Sequence, residues 1–145
     1  MNDRQKIAFS KVAQIFADLS YANKLKVGAI MVKDNRIISI GYNGTPSGWD
    51  NECEDIVGYD HDETPILKTK PEVLHAEINC IAKLAKSNES GADATMFITH
   101  SPCIECAKAI KQAGITLVYY QHEFKNSAGI DFLEACGITV ERFAL

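Results

Sequence analysis

Four side chains in this sequence have the types and spacings to hold a metal ion and use it. His75-Ala76-Glu77 supplies an imidazole and a carboxylate, and Pro102-Cys103-Ile104-Glu105-Cys106 supplies two thiols. Thiolate and imidazole are donors that suit Zn2+. Three such donors leave one tetrahedral position open, as in catalytic rather than structural zinc sites. Zinc in such a site lowers the pKa of water from about 15.7 toward 7. Glu77 is then the group beside it that can move protons, a role typically worth ~10²–10⁴-fold in rate.

The spacing supports part of this arrangement and leaves part open. Cys103 and Cys106 are three residues apart and share a face on a helix. Pro102 suits the start of that helix, whose free N–H groups and positive dipole favour thiolate. His75 and Glu77 are two apart, roughly 200° around an ideal helix. They can converge only from the first turn of a helix. Two other chemistries also fit: Cys103 and Cys106 as a redox pair, although the flanking residues are not thioredoxin-like, and a structural zinc closed by His100 or Cys53.

The surrounding elements follow from hydrophobic periodicity. Residues 3–20 carry Val12, Ile15, Phe16 and Leu19 at helical spacing. Residues 27–32 and 36–42 read as a strand pair turning at Lys33-Asp34-Asn35. Residues 43–71, with three of the four prolines, read as one long polar loop. A helix is expected over 75–86, a strand over 95–99, a helix over 103–113 and a strand over 115–120. A helix over 127–135 and a strand over 138–143 complete the chain. This alternation implies parallel strands with helical crossovers. The opening hairpin adds an antiparallel pair, so the sheet is expected to be mixed.

Composition narrows the class. One domain spanning 1–145 is expected from 145 residues, and 46% hydrophobic residues suffice for a core that does not depend on the metal. A net charge of −4 with no basic stripe argues against a nucleic-acid binder. No apolar run reaches the ~18 residues of a membrane span. Residues 1–6 lack a signal-type apolar stretch, so a cytoplasmic protein is expected. Five cysteines do not make a disulfide framework in that compartment.

Several runs together resemble the deoxycytidylate (dCMP) deaminases of the zinc-dependent cytidine/deoxycytidylate deaminase superfamily, especially short viral or bacterial members. They are Val27-Gly28-Ala29-Ile30, Gly41-Tyr42-Asn43-Gly44-Thr45-Pro46, Asn51-Glu52-Cys53-Glu54, His75-Ala76-Glu77-Ile78-Asn79 and Ser101-Pro102-Cys103-Ile104-Glu105-Cys106-Ala107. The match spans about residues 20–125. The resemblance implies a cytidine-deaminase-like three-layer α/β/α fold with a central five-stranded mixed sheet. It implies Zn2+ on His75, Cys103 and Cys106, Glu77 as proton shuttle, and hydrolysis of dCMP to dUMP and ammonia for thymidylate synthesis.

The same resemblance implies substrate contacts. Asn43 would meet the deoxyribose 3′-hydroxyl, Ala76 the base carbonyl or amide at the pocket floor, and Ser101-Pro102 the exocyclic amine. Tyr120, read as lying just past a strand end, would stand near the nucleotide. Among the candidate phosphate cations Lys24, Lys26, His122 and Lys125, the flanking segments favour Lys24 and Lys125. The turn Gly41-Tyr42-Asn43-Gly44 would bind dCTP or dTTP as effectors, with Mg2+ on the triphosphate, in a homohexamer. A plain hairpin exit is the alternative reading of that turn. Cys80 replaces a common alanine, a mild change. Cys53 and His61 are the only soft ligands in residues 49–71 for a second zinc. Deamination of another base or nucleoside (cytidine, guanine, tRNA adenosine) and a non-catalytic zinc-binding regulatory subunit are the alternative functions.

Overall fold

A computed structural model describes residues 1–145. Helix α1 (Asp3–Ala17) opens with a capping box in which Asn2 and Gln5 exchange side chain-to-backbone hydrogen bonds of 3.0 Å each. It ends before the expected residue 20 because the Ser20 hydroxyl is bound elsewhere, donating to Asn43 O at 2.7 Å and accepting from Ala22 N–H at 3.2 Å. Strands β1 (Gly28–Lys33) and β2 (Arg36–Tyr42) form the expected hairpin. Its tip places Asp34 and Asn35 at φ 51° and 59°, the left-handed pair that matches the twist of flanking strands.

After a second hairpin, β3 (Glu54–Tyr59) and β4 (Pro65–Thr69), the chain runs α2 (Ala76–Ala82) into a 3-10 segment (Lys83–Lys86), β5 (Thr95–His100), α3 (Ile104–Gln112), β6 (Leu117–His122), α4 (Ala128–Ala135) and β7 (Thr139–Arg142). The five-stranded sheet has the order β2-β1-β5-β6-β7. β1 lies antiparallel to β2 and β5, while β5, β6 and β7 run parallel. The sheet is therefore mixed, as expected from an opening hairpin followed by alternating helices and strands.

Alternate residues of the central strands face opposite layers. Ala29, Met31, Met96, Ile98 and Val118 pack under α2, α3 and α4 with Cys80, Ile110 and Leu133. Ile30, Val32, Phe97 and Tyr119 pack against Ala13, Phe9, Val12 and Phe16 of α1. Both faces are covered, which is why the strands read as continuous apolar runs. No helix is long and apolar enough to cross a membrane.

One element corrects the sequence reading. Residues 43–71 are not one loop, because β3 and β4 pair antiparallel within them. The Asp60 carboxylate organises their connection, accepting from Asp62 and Thr64 N–H at 2.9 Å each. The acidic residues and Pro65 around Ile56, Val57, Tyr59, Ile66 and Leu67 obscured the strand pattern.

Candidate active site

The site lies where β5 and β6 end and α2 and α3 begin, at the carboxyl edge of parallel strands where such folds bind ligands. His75 is the N-cap of α2, with extended backbone at φ −72° and ψ 153°. That resolves the spacing problem: His75 precedes the helix, so the helical rotation separating residues two apart does not apply to it and Glu77. Cys103 is likewise the N-cap of α3 (φ −71°, ψ 168°), and Cys106 lies three residues on, in the helix's first turn. The pair thus spans a helix start rather than a helix face.

The donor atoms of His75, Cys103 and Cys106 all lie within 4.8 Å of one another. The His75 Nδ1 atom is 3.2 Å from Cys106 Sγ and 3.6 Å from Cys103 Sγ. Bond lengths of about 2.0–2.1 Å to nitrogen and 2.3 Å to sulfur give N–S edges of about 3.6 Å in a tetrahedron, so the donors fit zinc. His100 and Cys53 line the neighbouring cavity but do not join the group, and neither closes it. His61 lies at the exposed hairpin tip against Asp62, so Cys53 and His61 do not form a second group.

Electrostatics agree with the geometry. Hydrogen bonds to Cys106 and His75 hold the Cys103 thiol down at about 3, while its bond to Cys103 and burial push Cys106 up. The Cys103 sulfur also raises His75, against burial. A dication binding to these donors requires the thiols as thiolates and the imidazole neutral, so binding would release their protons. Glu77 is 5% exposed. Burial pushes its carboxyl up to about 7, while its own backbone N–H and His75 pull the other way.

The helix carrying His75 and Glu77 is mounted from several points. Gly44 and Leu74 exchange backbone hydrogen bonds of 3.1 and 2.8 Å, pinning the residue before His75. Asn79 donates to Tyr42 O at 2.9 Å. A Cβ on Gly41 would lie 2.4 Å from Ala76 O and 2.5 Å from Cys80 N, so that glycine lets α2 approach β2. The turn Gly41-Tyr42-Asn43-Gly44 therefore supports the site, and the N–H groups of Asn43 and Gly44 are already bound to Val27 O and Leu74 O.

Gly129 plays the same part for α3. A Cβ there would meet Pro102 O at 2.0 Å and Cys103 O at 2.9 Å. In an open helix Gly→Ala gains about 1 kcal/mol, but overpacking against fixed backbone costs about 1–3 kcal/mol. The clash wins here because a backbone carbonyl cannot rotate away as a side chain can. Gly129→Ala is expected to lower the melting temperature and weaken zinc retention through Cys103. A raised melting temperature with full zinc would contradict this.

A cavity of about 460 Å³ opens beside the donors. Of the expected substrate residues, Lys24, Asn43, Ala76, Ser101 and Lys125 line it with His75, Glu77 and Cys103. Pro102 is buried and is not part of the lining. Tyr120 is a correction: it lies within β6, is 7% exposed, and does not reach the cavity. The strand runs two residues further than its apolar pattern because Gln121 is buried through a bond to Ser10 O. Lys26 and His122 are exposed and outside the lining.

The Asn43 amide holds the cavity's rim, donating to Leu25 O at 2.8 Å and accepting from Val27 N–H at 2.9 Å. The Ser101 hydroxyl accepts from Phe124 N–H at 2.9 Å and fixes the segment carrying Lys125. Lys125 has φ 55°, a left-handed backbone, and stands over the Phe124 ring. Glu54, Phe124 and Asn126 line the cavity without having been singled out for it. Glu54 stood in one of the runs that carry the resemblance, with no role attached, and for Phe124 and Asn126 only the neighbouring Lys125 carried a signal.

Residues 3–122 match the family model described as "Cytidine and deoxycytidylate deaminase zinc-binding region". The chain belongs to the cytidine and deoxycytidylate deaminase family. It is 36% identical over 142 residues to ComE operon protein 2 of Bacillus subtilis, covering 94% of this chain and 70% of that protein. It is 35% identical over 143 residues to human deoxycytidylate deaminase, covering 93% and 77%. The dCMP deaminase of cyanophage S-TIM5, solved in complex with dCMP and dUMP, is similar at a TM-score of 0.87 and 44% identity, covering 99% of each chain. The likeness to the cyanophage enzyme therefore runs along the whole fold, not through the zinc signature alone.

Proposed function

We propose that this chain, acting as one catalytic domain over 1–145, hydrolyses dCMP to dUMP and ammonia and so supplies dUMP for thymidylate synthesis. The observation that carries the reading is the three-donor group beside buried Glu77 in a cavity edged by two lysines, in a chain similar along its whole length to an enzyme solved with dCMP and dUMP. His75, Cys103 and Cys106 are the residues that would hold Zn2+. The metal, when bound, acidifies water at the open position.

Glu77 takes a proton from the attacking water as its oxygen bonds to C4 of cytosine. The carboxyl delivers that proton to ring N3, and the proton of the new C4 hydroxyl passes through it to the amine as the C4 carbonyl forms. The C4–N bond then breaks and ammonia leaves. Ala76 N–H, in the uncapped first turn of α2, is directed to the base carbonyl. The Ser101-Pro102 main chain meets the exocyclic amine. Asn43 retains one N–H and one lone pair for the 3′-hydroxyl. Lys24 and Lys125 receive the 5′-phosphate; Tyr120 is not assigned a contact.

Ammonia release from dCMP, deoxycytidine, CMP and dCTP, assayed in parallel, tests this. Two charge-assisted contacts to phosphate predict that kcat/KM for dCMP exceeds that for deoxycytidine by about 10–100-fold, after discounting for solvent exposure. Equal turnover of the nucleoside would move the substrate class to nucleosides. No turnover of any of the four, with zinc bound, would favour another base or a non-catalytic subunit.

The resemblance extends the proposal to control by dCTP and dTTP, with Mg2+ on the triphosphate, in a homohexamer in the cytoplasm. Repeating the assay with effectors tests it. Sigmoidal curves made hyperbolic by dCTP support regulation; hyperbolic curves throughout overturn it.

A further inference from the structure

The run Asn51-Glu52-Cys53-Glu54 has no part in the chemistry above, yet it stands at the foot of β3 against the cavity. The Glu54 carboxylate reaches across the chain to the turn at residues 23–24. Asn23 N–H donates to both of its oxygens at 3.1 and 3.0 Å, and Lys24 N–H donates to one at 3.1 Å. Successive backbone N–H groups form such anion-holding concavities. Behind them Cys53 packs with Ala22 and Val73 in a small buried cluster. The lip these contacts hold, Ala22, Lys24, Leu25 and Val27, forms one wall of the cavity.

From this arrangement we infer that Glu54 is a positioning residue for substrate specificity, fixing the Lys24 lip so that the cavity accepts a phosphomonoester. The inference rests on the nucleotide-deaminase reading. Two features of the contact support it. A bare carboxylate in this wall would repel an anionic substrate, whereas here both oxygens are occupied by backbone N–H donors. The Glu54 contact is also confined to one end of the lip: it holds residues 23–24 from β3, while Asn43 holds Leu25 and Val27, and the mounts at Gly41, Gly44 and Gly129 serve the starts of α2 and α3. Loosening residues 23–24 therefore affects binding of the phosphate end, while Asn43 still holds the rest of the lip and the reacting end stays in place.

Glu54→Gln tests it. The amide turns an NH2 donor toward backbone N–H donors, so at least one of the three bonds is lost. KM for dCMP is expected to rise about tenfold, with kcat within about twofold and KM for deoxycytidine unchanged, a loss of binding rather than of transition-state stabilisation. Lys24→Ala is expected to give the same split, and the double variant no more than either alone, because both act through one lip. Equal losses on both substrates, additive effects, or an unchanged preference for dCMP would overturn the inference. If Glu54→Gln fails to fold, Lys24→Ala decides: an unchanged preference for dCMP in that variant also overturns it. Failure of the wild-type protein to prefer dCMP would instead overturn the functional reading.

Discussion

Glu77→Gln is expected to lower deamination of dCMP by on the order of 10²–10⁴-fold while zinc content stays at the wild-type level. Three observations set the size and the separation of the two effects. Glu77 is 5% exposed in the first turn of α2, so the amide occupies the same place without opening a cavity. Its carboxyl lies outside the three-donor group, so its removal takes no ligand from the metal. The amide neither accepts a proton from water nor carries one to the ring nitrogen, so the loss should fall on kcat rather than on KM. Steady-state kinetics with metal analysis of the same preparation checks it. Activity within tenfold of wild type would remove Glu77 from the proton path, and loss of zinc would make it a ligand.

The identity of these four residues was legible from spacing, but their geometry was not. Treating His75 as helical put it roughly 200° from Glu77, because nothing in His75-Ala76-Glu77 says that the first residue is a cap. The information lies in tertiary contacts: the Gly44–Leu74 bridge and the Asn79–Tyr42 bond fix where α2 begins. The glycines of 41–44 attract a phosphate-binding reading because such turns approach anions closely. In the fold, Gly41 serves the approach of a helix to a strand, a use that local sequence cannot distinguish.

The sheet was legible for a different reason. Its strands are buried on both faces, so β1, β5 and β6 stand out as apolar runs between polar turns. The hairpin β3–β4 has the opposite character. Ile56, Val57 and Tyr59 are 56%, 58% and 64% exposed, so no buried face imposes alternation, and acidic residues and prolines set the local impression. Missing that hairpin also hid Glu54, whose partners are about thirty residues away. Tyr120 was misplaced because β6 continues through Gln121 and His122, where a buried hydrogen bond, not hydrophobicity, sustains the strand.

Cys106→Ser is expected to abolish zinc retention and turnover together, yet leave a folded protein. Cys106 is 1% exposed and 3.2 Å from His75 Nδ1. Serine preserves its shape but replaces a soft thiolate with a hydroxyl, leaving two donors where three converge. Small domains that depend on zinc unfold without it. This chain has thirteen buried residues in one apolar cluster and five in another, on opposite faces of the sheet, and none of the three donors belongs to either. The metal therefore adds stability by mass action rather than creating the fold, by about 4 kcal/mol at a thousandfold excess over its dissociation constant. Chelated wild type and Cys106→Ser should then melt at the same temperature, both below the zinc-loaded protein, with unchanged far-ultraviolet circular dichroism at 25 °C. Addition of zinc should restore the chelated wild type alone. Unfolding on chelation would make the zinc structural, whereas full zinc retention by Cys106→Ser would remove that sulfur from the ligand set.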